Sequence, residues 1–293
     1  MSILRLIITR NNLVFSLKGE IKMKINWFPG HMTKALKDIQ KQLANVDVVI
    51  YVLDARAPIS SINPSLSKLS QNKPVLYVFN KTDIADFERV KTLAKPYKSE
   101  NSDYVLQNST MSGSGKIIKQ KILNLAHDKI EKLKNKGIRA VIRAIVIGVP
   151  NSGKSTLVNN LCGKAKTVTG NRPGVTKSSQ WVSLGDNIEL CDTPGTLYPN
   201  LADQEVAKKL LFIGSIKDEI IVDICELAEE FLKMASERYQ ELLVSRFGQD
   251  LTLDAIARKR GYRLSKDEYD LERTAQAVLD DFRKGRIGKI TLD

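Results

Sequence analysis

The strongest chemical signal in the chain is Gly148-Val149-Pro150-Asn151-Ser152-Gly153-Lys154-Ser155-Thr156. It fits the spacing G-x-x-x-x-G-K-[ST] of a phosphate-cradling loop. Gly148 and Gly153 let the backbone turn tightly, so that the N–H groups from Asn151 to Thr156 aim at phosphate oxygens. Lys154 is placed to reach the outer phosphates, and the Ser155 hydroxyl to bind magnesium. Four other groups complete a guanine-nucleotide site. Asn80-Lys81-Thr82-Asp83 has N-K-x-D spacing: Asp83 can accept from N1–H and the exocyclic amine of guanine, a donor pair that adenine lacks. Asn80 either bonds the base edge or ties neighbouring loops together, and the Lys81 stem lies along the base. Ser109 and Thr110 follow a short strand, where a backbone N–H would meet the base oxygen. Asp192-Thr193-Pro194-Gly195 supplies a carboxylate that holds magnesium through water and a Gly195 N–H that senses the γ-phosphate. Thr176, in a polar loop from Thr167 to Thr176, is the threonine expected to complete the magnesium shell once the γ-phosphate is present.

Each group needs an element to hold it. Arg143 to Ile147 reads as a buried strand and Ser155 to Leu161 as a helix start, the strand–loop–helix context that the phosphate loop requires. Val46 to Leu53 and Pro74 to Phe79 read as buried strands, the second delivering Asn80 to its carboxyl end, where open α/β sheets bind ligands. Tyr104 to Asn108 is a third such strand. Gln180 to Leu184 and Asn187 to Cys191 form a hairpin around Gly185-Asp186. Met32 to Ala44 reads as a helix whose Lys34, Lys37 and Lys41 share one face, either solvated or in contact with phosphate. Ile117 to Leu133 reads as one lysine-rich helix containing His127, which the reading leaves solvated. Ser112-Gly113-Ser114-Gly115-Lys116 lacks phosphate-loop spacing and reads as a loop and helix start. Beyond Leu201 the pattern is helical: 202–214, 218–247, 252–259 and 267–284, then a basic run from Arg283 to Lys289 that suits RNA or protein docking. The expected architecture is α/β, with a doubly wound, mostly parallel sheet in a circularly permuted P-loop GTPase domain over residues 23–200, and a small all-helical domain over 201–293. The permutation follows from order: the guanine box precedes the phosphate loop, so the switch after Asp192 runs straight into the helical part.

Composition bounds the partners. The 293 residues carry 46 Lys and Arg against 33 Asp and Glu, net +13, which points to nucleic acid ahead of an acidic membrane surface. Cys162, Cys191 and Cys225 lack metal-ligand spacing and read as buried thiols in a reducing compartment, consistent with a cytoplasmic protein. No apolar run approaches the length of a membrane span. Residues 1–22 read as a poorly ordered or appended leader. Arg5 and Arg10 hint at a presequence, whereas Lys18-Gly19-Glu20 ahead of Met23 suits a translated ribosome-binding site, which would make Met23 the start.

Together with Trp27-Phe28-Pro29-Gly30-His31-Met32, Asp54-Ala55-Arg56-Ala57-Pro58 and Arg172-Pro173-Gly174-Val175-Thr176, these motifs resemble the circularly permuted ribosome biogenesis GTPase A family of bacterial large-subunit assembly GTPases. The likeness runs from Met23 nearly to the C-terminus. It implies a GTPase that uses GTP/GDP and magnesium and acts late in maturation of the large (50S) subunit. It further implies hydrolysis stimulated by the pre-ribosome, and a helical C-terminal domain of the ANTAR-like RNA-binding kind. The expected partner is the large-subunit precursor and its rRNA, bound in the GTP state by a monomer with no membrane association. Thr196 stands where ordinary switches place a water-orienting glutamine and this family a hydrophobic residue. His31 matches the family's histidine implicated in hydrolysis, and its near-neutral pKa suits polarising a water. Asn151 matches the asparagine that in related GTPases helps bind potassium beside the phosphates. The rival readings are a permuted GTPase acting on another RNA or on the small subunit, an RNA-binding module with little turnover, and an ATPase.

Overall fold

The computed structural model describes residues 6–9, 12–15, 30–111, 115–163, 180–197, 203–216 and 223–293, without the side chains of 6–9, 12–15, 30–34 and 180. Within residues 1–22, β1 (Leu6–Thr9) pairs antiparallel with β2 (Asn12–Phe15). The main sheet is built from apolar runs that alternate across two cores. In β3 (Val48–Asp54), Val48, Ile50 and Val52 enter one core and Val49, Tyr51 and Leu53 the other, so the whole strand is buried. A strand covered on both faces must read as a continuous apolar run. The remaining strands are β4 (Val75–Asn80), β5 (Ser102–Gln107), β6 (Ile142–Ile147), β7 (Gln180–Ser183) and β8 (Ile188–Asp192). Their order is β5-β4-β3-β6-β8-β7, with every neighbouring pair parallel except β7 and β8. The turn between β7 and β8 holds Gly185, Asp186 and Asn187 at φ of 74°, 49° and 57°, a left-handed run that these three residue types tolerate.

Helices cover both faces. On one side lie α1 (Gly30–Leu43), α2 (Pro64–Ser70) and α3 (Phe87–Ala94), with Ile39, Leu43, Leu66, Val90 and Ala94 in the shared core. On the other, α4 (Gly115–Leu125) buries Ile118 and Ile122 beside Leu157, Val158 and Leu161 of α6 (Lys154–Cys162). The single helix expected over 117–133 is broken: Ala126 (φ −95°, ψ 7°) caps a separate α5 (His127–Lys134). The cause is packing, since α4 has an apolar face for the sheet whereas α5 buries none of its residues.

The C-terminal part comprises α7 (Gln204–Phe212), α8 (Ile224–Phe247), α9 (Leu253–Arg260) and α10 (Leu271–Arg283) around Phe212, Phe231 and Phe282. Ring centroids are 5.5 Å apart for Phe212 and Phe231 and 4.7 Å for Phe231 and Phe282. Asp203, Asp223, Thr252 and Asp270 cap the four helices, each accepting from backbone N–H groups of the first turn. Helix α8 bends at Tyr239 (φ −120°, ψ 31°), whose hydroxyl bonds the carboxylate of Asp86 and the carbonyl of Thr291 at 3.1 Å each. The same core takes in Ala57, Val149 and Leu197, so the helical part is packed onto the loops above the sheet. Of the basic run at the end of α10, Arg283 is drawn inward, while Lys284, Arg286 and Lys289 stay exposed. Arg283 donates to the carbonyls of Leu211 and Phe212, Arg286 pairs with Asp281, and Leu292 N–H donates to the Arg56 carbonyl at 2.7 Å. No helix among the described residues is long and apolar enough to cross a membrane.

Candidate guanine-nucleotide site

Asp54, Asn80, Gln107, Ile147 and Asp192 end their strands on one rim of the sheet, and those sequence-predicted site residues that are described gather above it. The phosphate loop runs from β6 into α6, whose first turn begins at Lys154 and closes with Leu157 N–H donating to the Gly153 carbonyl at 2.9 Å. Glycine is required here by close approach as well as by φ. A Cβ on Gly148 (φ 147°) would lie 2.3 Å from the Val52 carbonyl oxygen, and one on Gly153 (φ 95°) 2.1 Å from Asn80 Nδ2. A Cβ on Gly195 would meet Pro150 Cα at 2.5 Å and Lys154 Nζ at 2.9 Å. That places Gly195 against the phosphate loop, where its N–H was expected to act.

Lys154 is buried, and its Nζ donates to the carbonyls of Gly148 (3.2 Å) and Val149 (2.9 Å). Burial pushes its ammonium down to about 8, with Asp192 opposing and Lys81 adding to the shift. A desolvated cation with no directly bonded carboxylate among the described residues suits an anionic ligand. The magnesium residues fit their ion as well. Ser155 Oγ donates to Asp192 Oδ2 at 2.8 Å, and Asp192 Oδ1 is buried with no hydrogen-bond partner among the described residues. Burial raises the Asp192 pKa, against the Ser155 hydrogen bond and the Lys154 charge. A hydroxyl beside a partly orphaned carboxylate is a hard-oxygen donor set of the kind magnesium takes. The hydroxyl of Thr196 is likewise buried without a partner, while its N–H donates to the Gly148 carbonyl at 3.2 Å.

The base end resolves one alternative. Asn80 ties loops together: its Nδ2 donates to the Ser152 carbonyl at 2.8 Å and its Oδ1 accepts from Ser109 N–H at 2.9 Å. Thr110 N–H donates to Asn108 Oδ1 at 2.9 Å, so the N–H groups of Ser109 and Thr110, in the segment expected to offer one backbone N–H to a base oxygen, both bond asparagine side chains. Lys81, at φ 64°, sends Nζ to Asp54 Oδ2 (2.8 Å) and the Asn151 carbonyl (2.5 Å), which stretches its stem between the base end and the phosphate loop. Asp83 is exposed at that end. The Asn151 amide donates to the Gly214 carbonyl at 2.8 Å, and Ser215 Oγ to the Pro150 carbonyl at 2.8 Å, so the phosphate loop is bonded to the segment after α7. Thr176 and the side chain of His31 lie outside the described residues, although the His31 backbone opens α1.

Motif spacing alone did not assign a job to Asp54 and Arg56. Both are buried. Arg56 Nε and Nη2 grip Asp54 at 2.9 and 2.7 Å, while Nη2 and Nη1 reach the carbonyls of Ile213 (3.0 Å) and Arg283 (3.2 Å). Burial alone would raise the Asp54 pKa, but the Arg56 and Lys81 charges outweigh it and hold the carboxyl well below the usual range. Two cations on one buried carboxylate, close to a cationic phosphate loop, were the available hint.

A glycine-bounded phosphate loop entering a helix, a strand-end Asp–Ser pair for magnesium and an N-K-x-D box make this a P-loop nucleotide-binding domain of the GTPase class. A family model described as 50S ribosome-binding GTPase matches residues 143–251. The ribosome biogenesis GTPase A of Bacillus cereus is 39% identical over 280 residues, 92% of this chain and 94% of that protein. That of Priestia megaterium is 38% identical over 281 residues, 92% and 97% of the two chains. A solved structure of GNP-bound YlqF from T. maritima aligns with a TM-score of 0.62 at 27% identity, covering 89% of this chain and 97% of that one. The chain belongs to the ribosome biogenesis GTPase A family.

Proposed function

We propose that the protein hydrolyses GTP to GDP and phosphate while helping to assemble the large ribosomal subunit, gripping rRNA in the GTP state and letting go after hydrolysis. The observation that carries the reading is the direct bonding of the phosphate loop to the helical part, through Asn151 to Gly214 and Pro150 to Ser215, with Val149 and Leu197 in the helical core. A change at the γ-phosphate thereby alters contacts of the C-terminal helices without an intervening subdomain. Ser155 and Asp192 would hold magnesium, joined in this proposal by Thr176. The ion would neutralise charge between the outer phosphates. Lys154 supplies the protein's own positive charge there, and Gly195 keeps the loop after β8 close enough to read the outermost phosphate. His31 is proposed to position the attacking water, and Asn151 to present a potassium ion beside the phosphates. Asp83 gives selectivity for guanine.

The test is co-sedimentation with mature and precursor subunits of both sizes, with GDP or a non-hydrolysable GTP analogue across a salt series. GTPase rates are read in potassium and in sodium. The proposal expects analogue-dependent pelleting with large-subunit precursors, weakening steeply as salt rises, and a rate raised by those particles. Pelleting with the small subunit instead, or a rate indifferent to saturating particles, overturns the assembly role. Equal rates in the two salts remove the potassium ion.

A further inference from the structure

The geometry points to a pocket for one unstacked RNA base, carrying an exocyclic amine, between the end of α1 and the edge strand β7, with the RNA backbone running along the lysine face of α1. The inference rests on the ribosomal reading above and locates one contact with its partner.

Helix α1 covers only part of its side of the sheet. Where it stops, the residues that share its face change character. Ile145 and Cys191 are buried under α1, but Arg143 and Glu189, the same-face positions two residues earlier on their strands, are polar and open. Trp181, paired with Cys191 across the β7–β8 ladder, is 42% exposed, a large aromatic on an edge strand with no helix over it among the described residues. These side chains, with Gln42 and Asn45 from the end of α1, line a cleft of about 370 Å³. That volume is within the range of small-ligand sites, about 300–1,000 Å³.

The lining chooses the occupant. Trp181 offers a stacking plane, with the Arg143 guanidinium 6.0 Å from its ring centroid. Gln42 and Asn45 bring side-chain amides that can donate to and accept from a base edge. Glu189, 3.0 Å from Arg143 Nε, cancels the cation's charge inside the cleft, so a phosphate is not favoured there. A carboxylate instead accepts from a base amine, as acidic side chains do from cytosine N4. The positive charge lies outside. Lys37 and Lys41, four residues apart on α1 and both exposed, form a stripe that leads toward the cleft, where Asn45 follows the helix. Unpaired bases stacked on aromatic side chains, with the backbone on a basic track, are how single-stranded RNA is held.

The test measures anisotropy of fluorescein-labelled RNA hexamers of C, A or U against the full-length protein bound to a non-hydrolysable GTP analogue at low salt. Hexa-C and hexa-A are expected to bind more tightly than hexa-U. Trp181→Ala should weaken hexa-C binding roughly 5- to 150-fold, as loss of one base stack does, with Trp181→Phe retaining most affinity and GDP affinity unchanged. Glu189→Gln should erase the preference over U, and Lys41→Ala should lower the salt slope by about one. Hexamer binding indifferent to Trp181→Ala overturns the proposal. If that variant disturbs GDP affinity, Glu189→Gln decides, and an unchanged base preference overturns it. Subunit pelleting lost in Trp181→Ala without any hexamer binding by the wild type assigns the cleft to a protein and also overturns it. Hexamer binding with no subunit pelleting sinks the ribosomal reading alone, whereas pelleting without hexamer binding, untouched by Trp181→Ala, sinks only the pocket.

Discussion

Replacing Arg56 with leucine isolates the tie between the nucleotide domain and the C-terminal helices. The substitution keeps apolar bulk beneath Phe282, whose ring centroid lies 5.4 Å from the guanidinium carbon, and removes the charge and four hydrogen bonds of 2.7–3.2 Å. Asp54 then keeps Lys81 as its one cation while remaining fully buried. Removing one partner of a buried pair costs about 3–5 kcal/mol, against about 0–1 for an exposed one. For a chain of this size that is roughly 6–20 °C in Tm. Urea unfolding of the wild type and variant at pH 7 measures it, and hydrogen exchange of α7 and α10, whose carbonyls lose their donor, locates it. Because Asp54 is held below its unfolded value, its contribution is complete above that value and fades as pH falls toward the folded one. The gap between the two proteins should therefore narrow below about pH 4. The Asp54→Asn/Arg56→Leu double variant should cost less than the sum of the singles, since no charge is then stranded between them. A loss under about 1 kcal/mol at pH 7, the value of a surface pair, would refute the claim that this contact binds the two parts.

Two further outcomes follow from the site. Gly195→Ala forces a Cβ to within 2.5 Å of Pro150 Cα, backbone that cannot swing aside. An overpacking cost of about 1–3 kcal/mol should appear in calorimetry as weaker binding of the GTP analogue than of GDP, and equal losses for both would place Gly195 away from the γ-phosphate. Thr196→Val swaps an unpartnered buried hydroxyl for a methyl of similar shape, which should leave stability equal or raise it by about 1 kcal/mol. Its particle-stimulated GTPase rate then decides whether the hydroxyl serves hydrolysis: an unchanged rate makes Thr196 a space-filling residue.

The phosphate loop, the N-K-x-D box, Asp192–Gly195 and the strands that carry them were legible in the sequence because each is local. A β-branched run, a glycine pair and a helix start fall within about fifteen residues, and their chemistry depends on backbone that the neighbouring residues themselves dictate. The guanine box preceding the phosphate loop, Asn80 before Gly148, was legible for the same reason, as an order of local signals. Tertiary structure decided the rest. Arg56 meets carbonyls 157 and 227 residues away, and a carbonyl has no residue identity to read. Asn80 serves the loops because Ser109 and Ser152 reach it from other strand ends. The basic run after Phe282 looks free in sequence, yet Arg283 is turned inward by carbonyls at the end of α7. Trp181 reads as one more strand residue, and only the point where α1 stops leaves it open. A sequence fixes the residues an element can offer; which of them meet depends on contacts between segments far apart in the chain, and those leave no periodicity behind.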